Sequence, residues 1–156
     1  MELDQLVERY ADLVYQLALT RTRSPADADD ITQEVFLRAF RHVHELTDEA
    51  HARAWLIRVT VNCTKNLFLS AWRRRTVPLE EAAPLSFSDP EYSRVWEAVL
   101  ALPLPYRTAV HLHYYQGLSV EEIAQTTGAA VGTVKSQLFR GREKLRQALK
   151  GDYDGF

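Results

Sequence analysis

The sequence predicts an all-α protein made of two small helical domains, and three observations carry that prediction. Apolar residues recur at three- and four-residue spacings along most of the chain, the period of one helix face. No stretch alternates apolar and polar residues as a half-buried strand does. Residues 76–90 collect Pro78, Pro84 and Pro90 among Ala, Ser and Glu, the composition of a linker between two folded parts.

The elements follow in order. Leu3, Leu6, Val7, Tyr10, Leu13, Val14 and Leu17 predict an amphipathic helix over 3–19. Ser24-Pro25 pairs an N-cap with proline at the first helical position, opening a second helix to about Val43. Within it Ile31, Val35, Phe36, Ala39, Phe40 and Val43 form a broad arc suited to a core. A polar stretch, 44–50, leads into a long helix over 50–75 with no internal Gly or Pro, whose stripe Leu56, Val59, Cys63 and Leu67 is expected to be buried. Helices at 91–101, 105–115, 119–127 and 131–149 complete the chain.

Its 156 residues carry a formal charge of −2, which conceals a strong division. Residues 1–50 hold 5 Lys/Arg against 11 Asp/Glu, whereas residues 51–76 hold 6 basic residues and no acidic one. Residues 77–100 hold 1 against 5, and residues 101–156 hold 7 against 5. Such asymmetry implies separate surfaces for separate partners, the basic ones suited to nucleic acid. No run approaches the roughly 18 apolar residues of a membrane span. The start Met1-Glu-Leu-Asp does not read as a signal peptide, and the single Cys63 suits a reducing compartment. A cytoplasmic protein without direct membrane insertion is therefore expected.

Near the C-terminus, Ser119-Val-Glu-Glu122 has the capping-box pattern, in which serine hydroxyl and glutamate carboxylate satisfy backbone N–H groups of the first turn. Ala124 is small enough for a close helix crossing, and Gly128 can take the positive φ of a tight turn. A three-residue turn then enters "GTVKSQLFRGREKLR", residues 132–146. This order is that of a helix-turn-helix, whose second helix enters the DNA major groove. At about 100° per residue, Val131, Val134, Leu138, Gly141 and Leu145 share a face and are expected to be buried. Thr133, Ser136, Arg140 and Glu143 point the opposite way, with Phe139 beside them. Lys135, Arg142 and Arg146 flank one edge; Gln137 and Lys144 flank the other. Central side chains are placed for base edges and flanking cations for phosphates.

The segment "LPLPYRTAVHLHYYQGLSVEEIAQTTGAAVGTVKSQLFRGREKLR" resembles region 4 of the extracytoplasmic-function (ECF) sigma factors of the sigma-70 family, above all in its GLSxEEIA and VGTVKS words. That resemblance implies recognition of a promoter −35 element by Thr133, Lys135, Ser136, Gln137, Phe139, Arg140, Arg142, Lys144 and Arg146. Two departures stand out. Gln137 replaces the usual basic residue, which bears on base preference, and Ala129-Ala130 replaces the usual Ile-Pro, which bears on turn rigidity.

The first half fits the same resemblance. Asp30, Gln33, Glu34, Leu37 and Arg41 lie outside the apolar arc of the second helix. Leu37 is an apolar side chain on a charged face, a sign of a protein interface. "DADDITQEVFLRAFR", residues 27–41, resembles region 2.2, which implies that this face grips the β′ clamp helices of core RNA polymerase. In the long helix, Arg58, Asn62, Lys65, Asn66 and Arg73 gather on one face, with Trp55 and Trp72 beside it. Cations can track phosphates there while aromatic rings stack on unpaired bases. "RAWLIRVTVNCTKN" resembles region 2.3, which implies −10 recognition and melting by Arg58, Asn62, Lys65, Asn66, Trp72 and Arg73. The loop His44–His51 corresponds to the one that captures a flipped base in the family.

The resemblance spans about residues 3–149. It implies a region 2-like domain over 1–76, a linker over 77–90, a region 4-like domain over 91–150 and a tail over 151–156. Extended, fifteen residues reach roughly 50 Å, enough to separate two DNA-contacting modules by more than a helical turn. The implied function is transcription initiation without catalysis or cofactor. Implied partners are core polymerase, including the β flap for region 4, promoter DNA and a cognate anti-sigma protein, with a monomer as the free form. His42-Val-His44 and His111-Leu-His113 do not suit a metal, because helical residues two apart point to different sides. The alternative is a conventional helix-turn-helix regulator acting without polymerase, which would dimerise and bind DNA alone.

Overall fold

The computed structural model describes residues 2–74 and 90–150, with the backbone alone at 70–74 and 90–93. The chain divides into two compact units, Met1–Ala82 and Ala83–Phe156. The expected linker, 77–90, lies outside the described residues except for Pro90. Among the described residues there is no strand.

In the first unit, α1 (Leu3–Thr22) buries Leu6, Tyr10, Val14, Leu17 and Ala18 along one face. Its last turn, Leu19–Thr22, is buried all round. Arg23 ends it in the left-handed region, at φ 59°, donating its backbone N–H to Leu19 O at 2.8 Å. Ser24 then caps α2 (Pro25–His42), its hydroxyl accepting from Asp27 N at 3.2 Å; such caps contribute about 1 kcal/mol. Ala28, Ile31, Val35 and Ala39 are buried, a narrower stripe than the arc expected from sequence. Phe36 and Val43 are half-buried and Phe40 is 62% exposed. Helix α2 packs chiefly on α1 and α3, and Leu37 and Phe40 are left exposed on its surface.

A short 3-10 turn (Val43–Glu45) and the buried Leu46 connect to α3 (Glu49–Arg74). Asp48 caps α3, its carboxylate accepting from His51 N at 2.8 Å. Helix α3 packs on both α1 and α2, so its buried arc is wide. Ala52, Leu56, Ile57, Thr60, Val61, Cys63 and Thr64 are buried, while Val59 and Leu67 are only half-buried. The expected stripe is thus rotated, with Leu56 and Cys63 retained. Two threonines enter this core because their hydroxyls bond backward within the helix, Thr60 to Leu56 O and Thr64 to Val61 O, both at 2.7 Å. Arg21 crosses from α1, donating from Nε to Thr64 Oγ1 at 2.5 Å and lying 6.0 Å from the Phe68 ring centre.

In the second unit, α4 (Pro90–Leu100) buries Trp96 and Val99. Helix α5 (Leu104–Val110) continues into a π-helical turn (His111–Tyr115). Arg107 is 6% exposed and donates from Nη1 to Leu100 O at 3.0 Å and Leu102 O at 3.4 Å. A guanidinium is well suited to those carbonyls, which lie at and just beyond the end of α4. Helix α6 (Val120–Thr127) opens on the expected capping box: Ser119 Oγ accepts from Glu122 N at 3.1 Å, and Glu122 accepts from Ser119 N at 2.9 Å. Gly128 closes α6 at φ 81°. Helix α7 (Val131–Ala148) buries Val134, Leu138, Gly141 and Leu145 against α5 and its neighbours. Val131 departs from expectation at 37% exposed, at the first position of the helix. Gly141 marks a close crossing, since a Cβ there would stand 2.8 Å from Val110 Cγ2.

Candidate polymerase and nucleic-acid surfaces

Burying one stripe of α2 leaves the opposite side to solvent. Asp30, Gln33 and Arg41 are exposed, Leu37 is 54% exposed, and Glu34 is half-buried. Glu34 accepts from Arg38 Nε at 3.0 Å, and this bond holds the Arg38 guanidinium above its ordinary pKa. Phe40 lies three residues beyond Leu37, so the two form an apolar pair on the helix surface. Helical periodicity assigned Phe40 to the core, and no signal in its own position distinguished it from Phe36. Behind this face, burial raises the pKa of the Cys63 thiol, which keeps it protonated and a poor nucleophile.

Along α3, Arg58, Asn62, Lys65 and Asn66 are all exposed on one side. Leu69, 57% exposed, falls on the same face by helical rotation. The side chains of Trp72 and Arg73 lie outside the described residues. Trp55 is half-buried and packs at a tilt against His42, with ring centres 5.8 Å apart. His42 Nδ1 in turn lies 2.9 Å from Glu45 Oε2. Trp55 thereby packs the end of α2 against the start of α3, beside the segment His44–His51. The structure divides that segment between the 3-10 turn, a short connection and the first turn of α3, and both of its terminal histidines are exposed.

The outward face of α7 carries most of its polar and cationic side chains. Thr133, Lys135, Ser136, Phe139, Arg140, Lys144 and Arg146 are exposed, while Gln137 and Arg142 are half-buried. Ser136 and Arg140 stand opposite the buried stripe. Glu143 is paired with Arg146, which neutralises the one carboxylate on this helix. Arg142 Nη1 donates to the Tyr114 hydroxyl at 3.0 Å, a contact from α7 to the π-helical turn that the sequence did not announce. Among the described residues no group of three or more His, Cys, Asp or Glu could hold a metal ion. No described helix is long and apolar enough to cross a membrane.

Residues 6–76 match sigma-70 region 2, and residues 92–145 match sigma-70 region 4. The chain is 33% identical to the ECF RNA polymerase sigma-E factor of Haemophilus influenzae, over 93% of this chain and 86% of that one. It belongs to the ECF sigma factors of the sigma-70 family. Identity rises to 38% with the ECF sigma factor SigE of Mycolicibacterium smegmatis; that alignment covers 94% of this sigma factor but only 61% of the longer relative.

Solved structures agree on the fold. Bartonella quintana RpoE, solved with the anti-sigma factor NepR, has a TM-score of 0.77 at 22% identity, covering 96% of this sigma factor and 98% of RpoE. CnrH, solved with the cytosolic domain of CnrY, has a TM-score of 0.68 at 26% identity, covering 97% and 89%.

Proposed function

We propose that this ECF sigma factor binds core RNA polymerase and directs it to two-part promoters, reading the −35 element with α7 and opening the −10 element with α3. The observation that carries the reading is the layout of α7. A capped α6 and the Gly128 turn precede a helix whose Ser136 and Arg140 face outward, directly opposite Val134, Leu138 and Leu145. Those two side chains meet base edges, while Thr133, Gln137 and Phe139 border them and Lys135, Arg142, Lys144 and Arg146 meet the backbone.

The remaining assignments follow from the other faces. Asp30, Gln33, Glu34, Leu37 and Arg41 engage the β′ clamp helices, and the second unit also meets the β flap. Arg58, Asn62, Lys65 and Asn66, with Trp72 and Arg73, hold the melted −10 strand. The functional boundaries are residues 1–76 and 91–150, joined by 77–90 and followed by the tail 151–156. Melting draws on binding energy alone, without catalytic residue or cofactor. The protein works in the cytoplasm as a polymerase subunit, monomeric when free or held by a cognate anti-sigma protein. Support for such a partner comes from the family resemblance and from CnrH, solved with the cytosolic domain of CnrY.

The test is transcription by core polymerase on a randomised promoter library, with and without the protein. Selective initiation on a shared −35 and −10 pair is expected. A Glu34→Lys, Leu37→Ala variant should keep its helicity yet lose core binding, because the contact loses an apolar anchor and gains a misplaced charge. DNA binding by a stable dimer without polymerase would overturn the reading in favour of a conventional regulator.

A further inference from the structure

Tyr114 and Arg142 are 28 positions apart, yet they meet at the edge of α7. Arg142 Nη1 donates to the Tyr114 hydroxyl oxygen at 3.0 Å. Tyr114 is 55% exposed and Arg142 half-buried, so the pair stands at the surface and the bond is not part of the core.

The structure around Tyr114 holds it there. It sits in the π-helical turn His111–Tyr115, where Gln116 N bonds to His111 O at 3.2 Å, five residues back. The His113 ring meets its ring edge-on, with centres 4.9 Å apart. His113 Nδ1 lies 2.8 Å from Leu118 O; a carbonyl only accepts, so this nitrogen carries the hydrogen. Leu118 directly precedes Ser119, the cap of α6. Tyr114 is therefore tied to the start of one helix of the helix-turn-helix and bonded to the other. Turns of this π type are frequent where a side chain must be aimed at a ligand.

The chemistry of the bond leaves each partner with a donor still to give. A phenol that accepts one hydrogen bond retains its own O–H to give, and a guanidinium has five N–H groups of which this contact takes one. Accepting from a cation also polarises the phenol and strengthens its O–H as a donor. Lys135 and Arg146 lie on the same edge of α7 as Arg142, so a polyanion is the ligand that this edge favours.

We propose that Tyr114 and Arg142 form a two-donor clamp on one backbone phosphate of the −35 element. The guanidinium supplies the charge, and the phenol fixes its position while giving a second hydrogen bond. The proposal rests on the reading of α7 as the −35 helix, and it adds a residue outside that helix to the contact.

The experiment uses holoenzyme and the strongest promoter recovered from the library, with affinity measured against salt. Tyr114→Phe keeps the ring and removes the hydroxyl, so binding should weaken about two- to tenfold with the salt slope unchanged. Arg142→Gln should weaken binding and make the slope shallower by about one. A duplex series with single phosphates replaced by neutral methylphosphonates should contain one position at which wild type and Tyr114→Phe bind equally.

Wild-type affinity for Tyr114→Phe, or a loss that no single substituted position erases, would overturn the clamp. Arg140→Ala on the same library separates the two claims. An altered base preference with an inert Tyr114→Phe removes the clamp alone, whereas an unchanged preference removes the −35 reading and the clamp with it.

Discussion

Arg140 and Lys144 are four residues apart on α7 and carry the same charge, yet the proposed −35 reading gives them different work. Arg140 is opposite the buried stripe, where a guanidinium can make two hydrogen bonds to guanine O6 and N7, worth about 1–3 kcal/mol of discrimination. Lys144 is towards the rim, where an ammonium meets phosphate without regard to sequence. Arg140→Ala should therefore relax preference at one or two −35 positions. Lys144→Ala should weaken all promoters alike and make the salt dependence shallower. Both effects are read from a randomised −35 library transcribed with each variant. The outward placement of these residues was legible in the sequence, because a helical wheel needs nothing beyond spacing to sort outward from inward. Arg21 and Arg107 were not. Each is almost fully buried, and the partner that admits Arg21 to the core, Thr64, is 43 residues away. The Tyr114–Arg142 contact was hidden for the same reason: sequence shows a side chain's chemistry but not what another element brings to it.

At the scale of elements, local chemistry proved the most readable. The Ser24-Pro25 start of α2, the Ser119/Glu122 box and the positive φ of Gly128 all appear where the residue types placed them, because each involves atoms within three or four residues. What the wheel could not supply was where the neighbours of each helix lie. Helix α2 leaves Phe40 outside its contacts with α1 and α3, whereas α3 is covered by α1 and α2 along a wide arc, so Ile57 and Val61 are inside. The π-helical turn also went unforeseen, since an i to i+5 register has no residue signature. Two expectations belong here. At the α5–α7 crossing, Gly141→Ala should destabilise the second unit by about 1–3 kcal/mol through overpacking, despite alanine's better helix propensity. Val110 is β-branched and cannot swing clear of the added methyl, and thermal unfolding measures the cost. On α3, neutralising Arg58 and Lys65 should slow open-complex formation on duplex promoters. A template already mismatched across the −10 element should restore much of the activity, because unpairing then costs nothing. Equal losses on both templates would assign these cations to general phosphate binding.

At the scale of the whole molecule, a buried histidine in the second unit makes stability sensitive to acid. His111 is 1% exposed and stacked on Tyr115 at 5.4 Å. Burial pushes its pKa down to about 4. Gln116 Nε2 lies 3.2 Å from His111 Nε2; an amide nitrogen only donates, which fits a neutral ring. The unfolded chain binds this proton near pH 6.5 and the folded one does not, so stability is full above that pH. It then falls as pH drops towards about 4 and levels off below. At pH 5 the loss should be about 2 kcal/mol relative to pH 7.5. Melting temperatures of wild type against His111→Gln across that window check it, because the variant lacks the slope. A different consequence attaches to Leu37, Phe40, Leu69 and Phe139, large apolar side chains left uncovered on the faces proposed for partners. Each is tolerable singly, but Leu37 and Phe40 are three residues apart on α2, and an adjacent apolar pair of this kind favours association when left uncovered. Synthesis in excess of the available polymerase and inhibitor should yield aggregates, so the dose of this protein has to be matched to the supply of surfaces that cover it.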